Sequence, residues 1–248
     1  MAVKNVDLVI LLDCSKSMRP CFDQIKNHLK ELLQPLQNAK MSVRFGLLGY
    51  SATSKSKLSI AYSMVFLGGD DIKTLLNIYS ESVNPDLFFT QDAEKISTAL
   101  DRLACQGDED TLLSLDTAID FPFGSLQTTR RVISLFTDEK IENGVNERTP
   151  LAKIPQIIDK LTKHKISLFA FCPQSAALDE LATADSAEIT YVESGDGLQS
   201  VDFKKLMQQM GKSLSIPTMQ SSGESPSERA LFGQDKFSET TVENWSGD

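Results

Sequence analysis

The stretch VDLVILLDCSKS, residues 6–17, decides the fold. Val6 to Leu12 is a nearly continuous run of β-branched residues and leucine, broken only by Asp7. Such a run suits a parallel strand buried on both faces. It stops at Asp13, and Ser15 and Ser17 follow at alternate positions. In an open α/β sheet, ligands bind beyond the carboxyl ends of the strands, so these three residues stand where a site belongs.

Working outward, Phe22, Ile25, Leu29, Leu32, Leu33 and Leu36 recur at helical spacing, with Pro20 near the start of an amphipathic helix. Val43 to Tyr50 reads as a second strand. Leu58 to Leu67 reads as a third, long and partly alternating. Asp70 to Ser80 carries a short helical pattern, and Asp92 to Ala104 a clear one. After the acidic loop Asp108-Glu109-Asp110, a further helix opens at Thr111. Arg131 to Thr137 is a fourth strand and ends at Asp138. Ile154, Ile157, Ile158 and Leu161 form the face of a helix whose Pro155 fits only in the first turn. Ile166 to Phe171 and Ile189 to Val192 are the fifth and sixth strands, a short helix around Leu178 lies between them, and Phe203 to Leu214 is the last helix. Strands alternating with helices predict an α/β fold, Rossmann-like and doubly wound, with a mainly parallel sheet.

Composition agrees with a globular chain. The 248 residues are 41% hydrophobic and 24% charged, enough to form a core without staples. Lys plus Arg number 25 against 34 Asp plus Glu, a net charge of −9. That balance gives no general attraction to phosphate backbones and argues against nucleic acid as a partner. Cys14, Cys21, Cys105 and Cys172 form no C-x-x-C pair and read as free thiols of a reducing compartment. No apolar stretch reaches the ~18 residues of a membrane span, and the apolar run at the start is too short for a signal peptide. The expectation is a cytoplasmic protein that makes no use of a membrane.

The domain is expected over residues 1–215, and residues 216–248 read as a flexible acidic C-terminal tail. That tail is rich in Ser and Thr and carries six acidic residues against two basic ones. Phe232, Phe237 and Trp245 are unusual in a mere linker, so the tail reads either as a solubilising end or as a recognition segment, including one for self-association.

Asp13, Ser15, Ser17, Thr111 and Asp138 all fall at one sheet edge if the strands are parallel. They offer two carboxylates and three hydroxyls, hard oxygen donors suited to Mg²⁺ or Mn²⁺. The simpler alternative is a helix N-cap cluster after the first strand, which leaves Thr111 and Asp138 as coincidence. Asp108-Glu109-Asp110 reads as a solvated loop rather than a second metal site. Cys14 reads as a small filler, and His28 and His164 as helix-surface residues.

D-x-S-x-S after a buried strand, with the later Thr and Asp, resembles the metal-ion-dependent adhesion site (MIDAS) of von Willebrand factor A (vWA) domains. The residues that carry it are LVILLDCSKSM (8–18), GDEDTLLSLDTAI (107–119) and VISLFTDEK (132–140). The resemblance implies a six-stranded sheet with helices on both faces and one antiparallel edge strand. It also implies a bound divalent cation, Mg²⁺ or else Mn²⁺ or Ca²⁺, to which a partner's Asp or Glu carboxylate supplies the missing ligand. By position, Ser15 and Ser17 would bind the ion directly, and Thr111, Asp13 and Asp138 directly or through water. Two positions depart from the pattern: Asp108-Glu109-Asp110 where the family is often glycine-rich, and Glu139 where a glycine is common. Within the family the chain is most similar to stand-alone intracellular bacterial members, such as those associated with tellurite resistance.

Enzyme readings fit the residues poorly. Cys14 and Arg19 lack the spacing of a phosphatase C-x₅-R cradle, and no G-x-x-x-x-G-K-[ST] is present. Neither histidine falls at a strand's carboxyl end to serve a serine nucleophile. The reading is therefore a non-enzymatic, metal-dependent protein-interaction module. The alternative is a metal-dependent hydrolase of phosphoesters or peptides that uses the same cation.

Overall fold

The computed structural model describes residues 5–52, 56–60, 65–68, 88–103, 110–141, 151–193 and 196–216. The strands are β1 (Asn5–Asp13), β2 (Ser42–Ala52), β3 (Ser56–Ile60), β4 (Val65–Gly68), β5 (Thr129–Phe136), β6 (Ile166–Pro173) and β7 (Ala187–Val192). The helices are α1 (Arg19–Asn38), α2 (Ala93–Arg102), α3 (Thr111–Ile119), α4 (Ile154–His164), α5 (Ala176–Leu181) and α6 (Phe203–Ser215). The sheet order is β4-β3-β2-β1-β5-β6-β7, with β2, β1, β5, β6 and β7 mutually parallel.

The α/β class and the parallel sheet are as the sequence predicts. The strand count is not: among the described residues the sheet has seven strands and two antiparallel members, not six and one. The run read as one long strand over Leu58–Leu67 is two, since Ile60 and Val65, and Leu58 and Leu67, are antiparallel partners. Alternation of period two continues across a reversal, and no Gly, Pro, Asn or Asp marks the residues between. The helix expected over Asp70–Ser80 and the tail from 217 onward lie outside the described residues.

β1 is central and every residue from Val6 to Asp13 is buried. Its alternate side chains serve two cores. Val6, Leu8, Ile10 and Leu12 pack beneath α1, α2 and α6, and Val9 and Leu11 beneath α3, α4 and α5. This is the burial on both faces that an uninterrupted apolar strand requires. α1 begins with Pro20 in its first turn and runs on through Pro35. There it meets α6 so closely that a Cβ on Gly211 would lie 2.5 Å from the Leu32 carbonyl oxygen.

At the amino end of the sheet Asp7 is fully buried and takes a bidentate ion pair from Arg44, at 2.8 and 2.6 Å. The Gly124 N–H donates to the same carboxylate at 2.7 Å. Arg44 also lies over the Phe89 ring, 4.9 Å from its centroid. This pairing fixes the amino end and leaves the carboxyl end of the sheet to carry the site.

Candidate functional site

The carboxyl end of β1 stops at Asp13, and the chain turns there before α1 begins. Asp13 shapes that turn itself. The Ser15 N–H donates to Asp13 Oδ1 at 2.7 Å, which places the Ser15 hydroxyl 3.1 Å from that of Ser17. The other oxygen, Oδ2, accepts from the Thr137 hydroxyl at 2.8 Å, just past the end of the neighbouring strand β5. Asp138 follows Thr137 and is buried, and its charge acts on Asp13. Thr111 is the first residue of α3, and its hydroxyl lies 3.1 Å from that of Tyr50. Tyr50 stands near the carboxyl end of β2, directly opposite Asp13 in the register.

The five residues expected from the sequence thus gather at one end of the sheet. Asp13, Ser15 and Ser17 are linked by direct hydrogen bonds, Asp138 acts on Asp13 through its charge, and Thr111 joins through Tyr50. Asp13, Ser15, Thr111 and Asp138 are buried, whereas Ser17 is exposed, so the cluster opens to solvent on the Ser17 side. Cys14, lying between two of these residues in sequence, points into the core as a filler. A Cβ on Gly49 would come within 2.8 Å of its sulfur.

Two contributors are absent from the sequence reading, Thr137 and Tyr50. In the sequence Thr137 is only the last residue of a strand, and its bond to Asp13 spans 124 positions. Tyr50 gives no signal in sequence, because its place opposite Asp13 depends on the β1–β2 register. The available hint is that both are polar residues at the carboxyl ends of strands flanking β1.

The electrostatics of the cluster are dominated by its two carboxylates. Burial, with a smaller push from Asp138, raises the Asp13 carboxyl to about 7, against the opposing pull of the Ser15 and Thr137 donors. Among the described residues, the one charged group that shifts it is another acid. The same field reaches α1, where burial and then the charges of Asp138 and Asp13 push the Cys21 thiol up to about 12. Tyr50 is raised well above its ordinary range by burial and then by the charge of Asp13.

A hard cation fits this arrangement. Two buried carboxylates that destabilise each other's ionised form are the groups a divalent ion would relieve, and the three hydroxyls are neutral oxygen donors beside them. Among the described residues, no three His, Cys, Asp or Glu side chains come together as a metal-holding group. Cys14, Cys21 and Cys172 are buried free thiols, and Cys172, like Cys21, is pushed upward by burial, away from thiolate chemistry.

A family model for the von Willebrand factor type A domain matches residues 7–65. Among solved structures, the VWA domain of SpRpn10 aligns with a TM-score of 0.53 at 14% identity, over 83% of this chain and 96% of that one. A von Willebrand factor type A protein from Catenulispora acidiphila aligns with a TM-score of 0.53 at 17% identity, over 85% of this chain and 43% of that one. Proximal thread matrix protein 1 from the mussel byssus, in its second crystal form, gives 0.51 at 16% identity, over 86% and 50%. No curated protein matches the chain. At such identities the likeness is one of fold: the chain folds as vWA domains do. No helix among the described residues is long and apolar enough to cross a membrane.

Proposed function

We propose that this chain is a divalent-cation-dependent protein-interaction module, which captures an Asp or Glu carboxylate of a protein partner, and not an enzyme. The observation that carries the reading is the pair of buried carboxylates, Asp13 and Asp138, gathered with three hydroxyls around a mouth that opens at Ser17. vWA domains commonly mediate protein–protein interaction, and the shared fold supports the same role here.

Ser15, Ser17 and Thr111 would hold the ion through neutral oxygens, with Asp13 and Asp138 beside it, directly or through water. Mg²⁺ is the expected ion, with Mn²⁺ or Ca²⁺ as substitutes. When bound, it supplies a Lewis-acidic coordination position that a partner's carboxylate can fill. The chain's own part is to orient. Both Asp13 oxygens are engaged by Ser15 and Thr137, so its role is to hold the serine turn in place. Neutral hydroxyls leave the two acids to balance a +2 ion, without surplus negative charge from the donors themselves.

The finer placement, beside intracellular bacterial vWA proteins of the tellurite-resistance type and in the cytoplasm, rests on the sequence resemblance and on cysteines that read as free thiols. Self-association through the tail rests on Phe232, Phe237 and Trp245 and on the acids among them. Trp245 emission that shifts with protein concentration supports it, and emission indifferent to concentration counts against it.

The main test is capture of partners from native lysate by the full chain, with Mg²⁺ or with EDTA, alongside the same capture by Asp13→Ala. Partners held by the wild type in Mg²⁺ alone, and lost with Asp13→Ala, support the reading. The same partners held in EDTA overturn it.

A further inference from the structure

β7 closes one side of the sheet, and among the described residues no strand pairs with its outer edge. Natural proteins guard such edges with proline, lysine, a bulge or a very short strand. β7 has none of these. Its six residues, AEITYV, pair with β6 one for one from Ala187 to Val192, and Ile189 to Val192 are all β-branched or aromatic. An unguarded edge of this kind is a template for another strand.

Two further features sit on the same strand. On the face toward α1 and α6, Glu188 Oε2 and Thr190 Oγ1 are shut off from water and find no hydrogen-bond partner among the described residues. The two side chains are only partly buried, so rotation about χ brings either oxygen to the strand's outer side. On the face toward α5, Tyr191 is 47% exposed, the most of any large apolar residue described. Its hydroxyl is pinned to Asp179 at 2.6 Å, which holds the ring in place.

A second copy of β7 answers all three features. Two strands related by a two-fold axis perpendicular to the sheet run antiparallel and keep their faces, so each residue meets one that points to its own side. With the axis at Ile189, Ile189 meets itself, Ala187 meets Tyr191 twice, and Glu188 meets Thr190 twice. The small Ala187 leaves room for the Tyr191 ring. Opposed side chains stand about 5 Å apart at Cβ, within reach of a Glu188–Thr190 hydrogen bond. Thr190 donates to that carboxyl group whether it is ionised or protonated. Neighbouring registers fail: an axis at Glu188 sets two carboxyl groups face to face, and an axis at Thr190 sets Glu188 against Val192. Beyond the strand, Asp185 and Glu193 come opposite each other, both exposed, and there the pairing ends.

We infer that β7 is a homodimerisation edge: two copies pair through it, antiparallel and centred on Ile189, into one continuous sheet. The inference stands without the cation. On the proposed binding reading it adds a consequence, because the strands of the second copy run the other way. The two Ser17 mouths then face opposite directions, and the dimer joins two partner molecules. A pairing this short buries less than the ~1,600 Å² of a standard interface, so the dimer is expected at micromolar concentrations and above.

The test uses the full chain. Sedimentation equilibrium from about 1 µM to about 500 µM should show a reversible dimer, equal in Mg²⁺ and in EDTA. Tyr191→Lys keeps a partner for Asp179, guards the edge with a charge and acts twice across the axis, so it is expected to weaken the dimer about tenfold. Cysteine cross-linking reads the register. Ile189→Cys sets two thiols opposite each other within disulfide reach, whereas Thr190→Cys leaves them roughly 8 Å apart at Cα, beyond it. Oxidation should link the first variant and not the second, with the wild-type chain as background for its own cysteines. A chain that stays monomeric throughout the range overturns the inference. So does a dimer that EDTA dissolves, which belongs to the cation site, or one indifferent to Tyr191→Lys, which belongs to another surface such as the tail. Cross-linking of Thr190→Cys in place of Ile189→Cys overturns the register. If Tyr191→Lys does not fold, the two cysteine variants carry the test.

Discussion

Asp7 and Asp13 stand near opposite ends of one strand, both fully buried, and the residues opposite them on β2 differ in kind: Arg44 faces Asp7 and Tyr50 faces Asp13. The first acid is neutralised by a guanidinium fork. The second is met by hydroxyls and a backbone N–H, and its nearest charged influence is another acid. A fold that can neutralise a buried carboxylate at one end of β1 leaves the other in want of a cation. That contrast marks Asp7 as structural and is the ground on which Asp13 is proposed to serve a cation.

Asp13→Ala is expected to abolish Mg²⁺ uptake measured by calorimetry, because the serine turn loses its anchor and the ion loses a neighbouring charge. Uptake equal to the wild type would remove Asp13 from the site.

Arg44→Met gives the opposite pattern. It strands the buried Asp7 charge and is expected to cost about 3–5 kcal/mol in urea unfolding. Molecules that remain folded should still take up Mg²⁺, since Arg44 lies at the far end of the sheet. Loss of uptake in folded protein would show that the two ends are coupled.

Glu188 on β7 supplies a pH dependence independent of the metal. Burial raises its carboxyl to about 7, with the charge of Arg130 opposing the rise, while in the unfolded chain it titrates near 4.5. Between these values the folded state binds more protons, so this group's contribution is full below 4.5 and is lost as the pH rises through about 7. Glu188→Gln should therefore lose less stability than the wild type between pH 5.5 and pH 8. The difference is on the order of 1 kcal/mol, reduced from the full linkage value because the side chain keeps partial contact with water. Equal slopes in urea melts at the two pH values would exclude it.

Ser134 is fully buried in the middle of β5, and among the described residues its hydroxyl finds no hydrogen-bond partner. Ser134→Ala should be neutral or stabilising by up to about 1 kcal/mol, because an unsatisfied polar group leaves the core. A clear loss of stability would mean that the hydroxyl is satisfied in solution, for instance by water.

Gly211→Ala should destabilise by about 1–3 kcal/mol. The added Cβ meets the backbone of α1, which has no side chain to swing aside. An unchanged melting temperature would show that α1 and α6 are free to separate.

Much of this arrangement is legible in the sequence because its signals are local. An apolar run ending in Asp13 announces a buried strand and the edge where a site forms, and the helical spacing after Arg19 places α1. Thr111 at a helix start and Asp138 after a strand follow from the same alternation, once parallel strands are assumed. What sequence does not show is non-local. The Asp7–Arg44 pair and the position of Tyr50 depend on the β1–β2 register, and the Thr137–Asp13 bond on the pairing of β1 with β5. The division between β3 and β4 is hidden for a different reason, since a strand pattern looks the same on either side of a reversal that lacks turn residues.

The contact between Gly49 and Cys14 has a consequence for how such a site can be lost. The Cys14 sulfur fills the space that a side chain at Gly49 would need, and Leu103 closes it from the other side, with a Cβ there only 2.9 Å from that residue. Cys14 lies in the turn that Asp13 anchors, and its own N–H is held by the Tyr50 carbonyl at 2.7 Å. One methyl group added at Gly49 would therefore press on the turn from inside the molecule. On the proposed cation-binding reading, a descendant of this chain would fall silent toward a partner with all five proposed oxygen donors still written in its sequence. Keeping the donors is therefore a weaker sign of retained binding than keeping the glycine behind them.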